Sequence, residues 1–182
     1  MYDTIKQSIN GPKHIGGYVP DTDGLYLEFG VATGGTITII ANHTANRVYG
    51  FDSFIGLQEK WNGYEVGHFS CDMPKVPSNV TLIEGMFEDT LPKFMKKHKK
   101  EKVAFLHVDC DLYSSTKCVF DNLKNNFKDG SIICFDELID YAGEDWRNHE
   151  WKAWHEFLEE TKYNWECLGL YGVHQVAFRI FK

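Results

Sequence analysis

Cysteine in this chain is poorly spaced for metal or disulfide chemistry. Five residues (Cys71, Cys110, Cys118, Cys134 and Cys167), odd in number and with no C-x-x-C pair, suggest neither a zinc site nor a disulfide framework. Long apolar runs are also missing. No stretch approaches the length of a membrane span, and the N-terminal "MYDTIKQSIN" has no apolar signal core. Positive charge is in deficit: 19 Lys and Arg against 26 Asp and Glu leave a net charge of −7, which argues against nonspecific binding to nucleic acid. The one basic run, "KFMKKHKKEK" (93–102), reads as a solvated helix face. Internal repeats and low-complexity blocks are absent as well. These absences lead to the expectation of a soluble, reduced, cytoplasmic protein with neither nucleic acid nor membrane as partner.

What is present is a patterned α/β chain. Its 182 residues suffice for one domain that buries most of its apolar surface. Apolar runs of strand length, at 24–30, 47–52, 80–85, 102–109 and 130–136, alternate with helix-period segments beginning near Gly35, at 90–100 and at 114–127. Near-continuous apolar strands separated by helices imply a doubly wound, mostly parallel sheet covered on both faces. The end of the chain differs. A helix carrying Trp154, Phe157 and Leu158 leads to "YNWECLGLYG" and "VHQVAFRIF", which read as an antiparallel hairpin at one sheet edge. The segment 55–78, rich in glycine and aromatic residues, is too long for a plain connection. It reads as an inserted substrate loop or lid, or as a contact within a homodimer.

"EFGVATGGT" follows the first strand and opens the first helix, and Gly30, Gly34 and Gly35 permit close backbone approach to a ligand. The spacing is neither G-x-G-x-x-G nor a P-loop, since the P-loop lysine is missing. A purely structural glycine turn is the alternative. The second strand ends in Asp52, about twenty residues on, where an acid in a doubly wound sheet binds both hydroxyls of a ribose. Its other reading is a helix N-cap. After the third strand, Gly85, Met86 and Phe87 offer apolar surface to a flat adenine, with a core role open for Phe87. Together these features point to a nucleoside-bearing cofactor.

"LEFGVATGGTI", "VYGFDSFIGLQE", "EGMFEDTLP", "LHVDCDLYSST" and "GSIICFDEL", in this order, resemble the macrocin O-methyltransferase-like (TylF-type) family of class I S-adenosylmethionine-dependent methyltransferases. The resemblance spans roughly residues 24–160. It implies a Rossmann-like seven-stranded sheet of order 3-2-1-4-5-7-6. It also implies S-adenosylmethionine with Glu28, Gly30, Gly34 and Thr36 toward its methionine part, Asp52 at its ribose, Ser53, Gly85, Met86 and Phe87 toward its adenine, and Asp109 near its methyl. The chain is shorter than the antibiotic-sugar enzymes of that family, chiefly at its N-terminus, so the substrate is less defined than the chemistry.

The stretch "FLHVDCDLYSST" ends an apolar strand in Asp109 and Asp111, and unpaired buried charge is costly. Strands four and five should be neighbours, about 4.8 Å apart, which brings Asp109 beside Asp136 and Glu137. Carboxylates converging in one crevice need a counter-charge, and oxygen ligands suit Mg²⁺; the family resemblance implies the same ion. Asp109, Asp136 and Glu137 are therefore the expected metal ligands, against the alternative of a hydrogen-bonded cofactor contact for Asp109. Asp111 reads either as a cap of the following helix or as a catalytic acid. His149 is the expected general base, with an exposed helix histidine as its plain alternative and Glu150 sharing both readings; His107 reads as a core histidine.

The activity expected from these residues is Mg²⁺-assisted O-methylation of a small-molecule hydroxyl on a sugar or natural-product-like acceptor. The rivals are a nucleotide-sugar transferase using D-x-D to hold metal and diphosphate, a non-catalytic S-adenosylmethionine-binding module and, more distantly, a nicotinamide dehydrogenase.

Overall fold

The two runs with the most continuous apolar character become the middle of the sheet. Strand β1 (Leu25–Phe29) and strand β4 (Val103–Val108) are buried at every position, as strands covered on both faces must be. A computed structural model describes residues 1–7 and 11–182. Around this pair lie β2 (Val48–Asp52), β3 (Val80–Glu84), β5 (Phe127–Phe135), β6 (Asn164–Tyr171) and β7 (Gln175–Phe181). The seven strands run in the order β3-β2-β1-β4-β5-β7-β6. All pairs are parallel except β5 with β7 and β7 with β6. The expected doubly wound sheet with an antiparallel C-terminal hairpin is the fold observed.

The helices divide unequally between the faces. Helices α3 (Phe87–Lys97), α4 (Tyr113–Leu123) and α5 (Glu150–Thr161) share one core cluster through Leu91, Phe94, Val119, Phe120, Trp154 and Phe157. The short helix α1 (Tyr2–Gln7) adds Ile5 to that cluster. The opposite face carries α2 (Gly35–Asn42) and a 3-10 helix, Ile15–Tyr18. No helix joins β2 to β3. The connecting segment takes that place itself, packing Phe54, Cys71 and Val76 onto the second cluster. Among the described residues its one ladder contact is an isolated bridge between Trp61 and Tyr64. Lys93, Lys96 and Lys97 are exposed while Leu91, Phe94 and Met95 are buried, so the basic run on α3 is a solvated face.

Two boundaries differ from the sequence expectation. The helix expected across 114–127 starts at Tyr113 and stops at Leu123, and Phe127 already belongs to β5. Pairing with β4 begins at Val103↔Phe127, and the extra residues before Ile132 are absorbed by a bulge. Gly130, at φ +87°, supplies the turn that the bulge needs. Helix α2, which the sequence reading extends from about Gly35 through Ala45, ends at Asn42. Among the described residues no helix is long and apolar enough to cross a membrane.

Candidate active site

Strand register builds the site. Glu28 pairs with His107, Phe29 with Val108, and Val108 with Phe135. The next residues, Gly30, Asp109 and Asp136, therefore emerge together at the carboxyl ends of three adjacent strands, where open α/β sheets bind ligands. The ladder closes with Asp109 N–H donating to Phe29 O and Asp136 N–H to Val108 O, both at 2.9 Å.

A cavity of about 390 Å³ opens above these ends, within the range of small-molecule sites. Of the expected site residues, Gly30, Asp52, Ser53, Gly85, Met86, Phe87, Asp109, Asp111 and Glu137 line it. Glu28, Gly34, Thr36, Asp136 and His149 are not on its wall.

Gly30 allows the close approach. At φ +87°, a Cβ there would lie 1.6 Å from the Asp109 carbonyl oxygen. Asp52 then holds the turn in place. Its Oδ2 accepts from Val31 N–H at 2.7 Å and Ala32 N–H at 2.8 Å, and its Oδ1 from Phe54 N–H at 2.7 Å. The helix-cap reading of Asp52 is thus replaced by a brace, because no helix follows β2. A carboxylate has about four acceptor positions. Three are used here by the backbone of the turn and of the segment that follows. Asp52→Ala should both lower stability by about 2 kcal/mol, through backbone donors left unpaired, and weaken binding of S-adenosylhomocysteine. Denaturant unfolding and calorimetry check the two effects, and weakened binding with unchanged stability would refute the brace.

The acids cluster beneath the opposite wall. Carboxylate oxygens of Asp109, Asp111 and Glu137 all lie within 4.8 Å of one another, an arrangement that fits a hard divalent cation. Glu137 Oε2 is buried without a hydrogen-bond partner, as a ligand atom awaiting a cation would be. The expected third acid, Asp136, stands outside this group, with Oδ1 3.9 Å from His107 Nε2. Asp111 takes its place for a local reason. Its backbone is left-handed at φ +60°, and the N-cap of α4 is Leu112, so Asp111 caps nothing.

Burial, reinforced by Asp136 and the neighbouring acids, raises the carboxyl groups of Asp109 and Glu137. Asp111 is pushed up to about 7 by burial and then by Asp136. Glu150 is fully buried at the start of α5 and is raised by the same burial, with Asp111 and Asp109 adding to it; neither of its oxygens makes a hydrogen bond of normal geometry. Acids raised in the folded state bind protons more tightly there than in the unfolded chain. Between the ordinary carboxylate range near pH ~4 and the raised values, stability must therefore fall as pH rises. Metal-free protein should lose several degrees of Tm between about pH 5 and pH 8. Added Mg²⁺ should restore it at the higher pH but not at the lower, and a flat Tm profile would count against an ionisable cluster.

Below the cleft, Glu28 and His107 are both fully buried, with Oε1 and Nδ1 3.0 Å apart. Burial raises Glu28 and lowers His107 to about 4, so on both sides of this contact it disfavours the charged form. His107 is a core histidine, as its place inside the strand suggests.

The expected base, His149, is misplaced for that role. It forms the N-cap position of α5, and its Nε2 is held 3.1 Å from Glu144 Oε2, off the cleft wall. The imidazole that does line the cleft is His174, with Nε2 4.0 Å from Glu137 Oε1. Sequence reading missed it. Because β7 is antiparallel to β5, with Phe135 opposite Val176, the β6–β7 turn lands beside the end of β5. There the His174 carbonyl accepts from Leu138 N–H at 3.2 Å and Ile139 N–H at 3.4 Å. Tyr141 was missed too. It lines the cleft and packs against Trp61, ring centroids 5.5 Å apart. The loop that carries Tyr141 is tied to α1, where Tyr2 Oη donates to Asp140 at 3.0 Å and Lys6 pairs with the same acid.

A mostly parallel sheet of this order, closed by an antiparallel hairpin, with a glycine turn after β1 and a braced acid after β2, has the fold of class I S-adenosylmethionine-dependent methyltransferases. Residues 27–138 match the family model described as a methyltransferase domain, and the chain belongs to that family. No curated protein matches it by sequence. Among solved structures it is similar to the calicheamicin methyltransferase CalS11, with a TM-score of 0.69 and 23% identity over 89% of this chain and 74% of that one. The apo form of that protein is described as a TDP-rhamnose 3'-O-methyltransferase. The O-methyltransferase NovP aligns with a TM-score of 0.65 and 20% identity over 99% of this chain and 79% of its own. An O-methyltransferase from Bacillus cereus in complex with SAH aligns at 0.53 and 16% identity, covering 86% of this chain and 73% of its own.

Proposed function

We propose that this protein transfers a methyl group from S-adenosylmethionine to a hydroxyl of a small molecule, with a divalent cation such as Mg²⁺ at Asp109, Asp111 and Glu137. The observation that carries this reading is the meeting, in one cleft, of the braced Gly30 turn with that acid cluster. Assignment to the macrocin-type group of sugar O-methyltransferases is part of the same proposal.

S-adenosylmethionine supplies an electrophilic methyl, and a bound divalent cation lowers the pKa of a hydroxyl. The chain's own residues do the rest. The turn at Gly30–Ala32 and Asp52 seat the nucleoside and methionine parts, while Met86 and Phe87 give the adenine an apolar bed. Glu28, with Oε2 buried and unpartnered, offers an acceptor at the foot of the site. Asp109 and Glu137 set the acceptor oxygen in line, and alignment of this kind accounts for several kcal/mol of barrier. His174 and the acids around it are the groups placed to hold the released proton.

The test is calorimetric binding of S-adenosylhomocysteine, followed by methyl transfer to a panel of hydroxylated small molecules with and without Mg²⁺. Protein that binds no S-adenosylhomocysteine would sink the reading. The rival nucleotide-sugar transferase is disfavoured by the family match.

The 55–78 segment is proposed to act as a lid. Leu57, Trp61, Tyr64 and Phe69 on it line the cleft, so a ligand adds contacts to those the segment already makes through its own backbone hydrogen bonds and the Leu57, Trp61, Leu112 and Tyr141 cluster. Cofactor and acceptor together should slow amide exchange at residues 55–70 at least about tenfold. Unchanged exchange at saturation would remove the lid role.

A further inference from the structure

The cleft also carries information about the acceptor's charge. Its wall includes the side chains of Asp52, Glu88, Asp109, Asp111 and Glu137, and among the described lining residues there is no lysine or arginine. Of the cations on adjoining segments, Lys75 is exposed to solvent, and Lys60 and Arg147 are paired. Lys60 Nζ is 2.9 Å from Glu65 Oε1, and Arg147 Nε is 2.8 Å from Asp145 Oδ1 while the guanidinium lies over the Trp146 ring. The single imidazole, His174, faces Glu137.

The cleft also has a flat, apolar wall. Trp61 and Tyr64 stack with centroids 6.1 Å apart and planes 20° from parallel, and Tyr64 stacks in turn on His68 at 4.3 Å and 19°. Phe69 joins this group 5.1 Å from Tyr64. Tyr64 and Phe69 keep 39% and 47% of their surface exposed, so rings of this size stand open at the mouth of the cleft. Exposed aromatic faces beside a polar site are where rigid ring ligands gain contact area at little entropic cost.

From these two walls we infer that the acceptor is an uncharged ring compound, laid against Tyr64 and Phe69 with its hydroxyl toward the acid cluster, and that nucleoside diphosphate sugars are refused. This rests on the methyltransferase reading above and deepens it. Phosphate recognition draws on arginine, lysine or a cradle of backbone donors. Here the backbone donors of the glycine turn are already taken by Asp52. The five acidic side chains on the wall offer a phosphate no positive seat. Setting a diphosphate against such a wall juxtaposes like charges, an arrangement that costs several kcal/mol in binding. The contrast is with the structural neighbour described as a TDP-rhamnose methyltransferase.

The experiment uses the whole protein loaded with S-adenosylhomocysteine and Mg²⁺, titrated with thymidine diphosphate and with a panel of uncharged ring alcohols: 4-nitrophenyl glycosides of glucose, galactose and rhamnose, and catechol. At least one uncharged probe should bind saturably. The pair Tyr64→Ala and Phe69→Ala should weaken it tenfold or more with S-adenosylhomocysteine affinity unchanged, and thymidine diphosphate should give no saturable binding. Saturable thymidine diphosphate binding that an uncharged probe displaces would overturn the inference. So would a panel in which no uncharged probe binds, or binding indifferent to the Tyr64 and Phe69 changes. Each of those results leaves the methyltransferase reading intact. Failure of the loading step with S-adenosylhomocysteine overturns both.

Discussion

Glu137→Gln is expected to lower turnover by about 100-fold or more, with S-adenosylhomocysteine affinity unchanged, the size of effect seen when a transition-state charge contact is lost. The substitution keeps the shape of the side chain and removes one oxygen donor from the acid group. It should not unfold the protein. A carboxyl raised by burial and by Asp136, Asp109, Glu150 and Asp111 is under mutual repulsion, and a neutral amide relieves part of it. Stability at neutral pH should therefore hold or rise while activity falls. Chelation of wild-type enzyme should reproduce the kinetic loss, and Mg²⁺ should restore wild type but not the variant. Full turnover after chelation would remove the cation from the mechanism. Glu137→Gln turnover close to wild type would move the ligand role to another acid.

Gly30→Ala is expected to cost more stability than any other single change to the glycine turn, at least about 4 kcal/mol, the range in which destabilisation becomes exceptional. Its Cβ would sit 1.6 Å from the Asp109 carbonyl oxygen, which belongs to backbone and cannot swing aside. The φ of +87° adds conformational strain for any L side chain. To admit a methyl group, β1 and β4 must part at their carboxyl ends, where Asp109 N–H donates to Phe29 O. Gly34→Ala provides the comparison, since its φ of +82° is similar but the nearest atom, Pro74 Cβ, is 3.1 Å away. A denaturant midpoint for Gly30→Ala equal to that of Gly34→Ala would show that the close approach carries no weight.

Much of the site was legible because strand ends announce themselves. Apolar runs that stop at Gly30, Asp52, Gly85, Asp109 and Asp136 place their last residues at one edge of a parallel sheet, and most of these line the cleft. Periodicity also located each strand of the parallel part, erring only where strand pairing outcompeted helix at Phe127. His149 misled because proximity to a helix start in sequence says nothing about which way a ring turns; Glu144, five residues earlier, holds it. Asp111 carried two readings, and the structure removes one of them. A residue before a helix resembles a cap, but the chain passes through a left-handed conformation there and sends the side chain to Asp109 and Glu137.

The sequence by itself determined the α/β class, the strands at the centre, the glycine turn and the presence of acids where β4 and β5 end, because all of these follow from local periodicity and from residues adjacent in the chain. Only the tertiary structure decided which acids converge, that Asp52 braces the turn, and that His174 and Tyr141 join the cleft. Those contacts span long stretches of sequence and depend on register: the antiparallel return of β7 beside β5 carries a hairpin-tip histidine to Glu137, and no pattern local to residue 174 encodes that meeting.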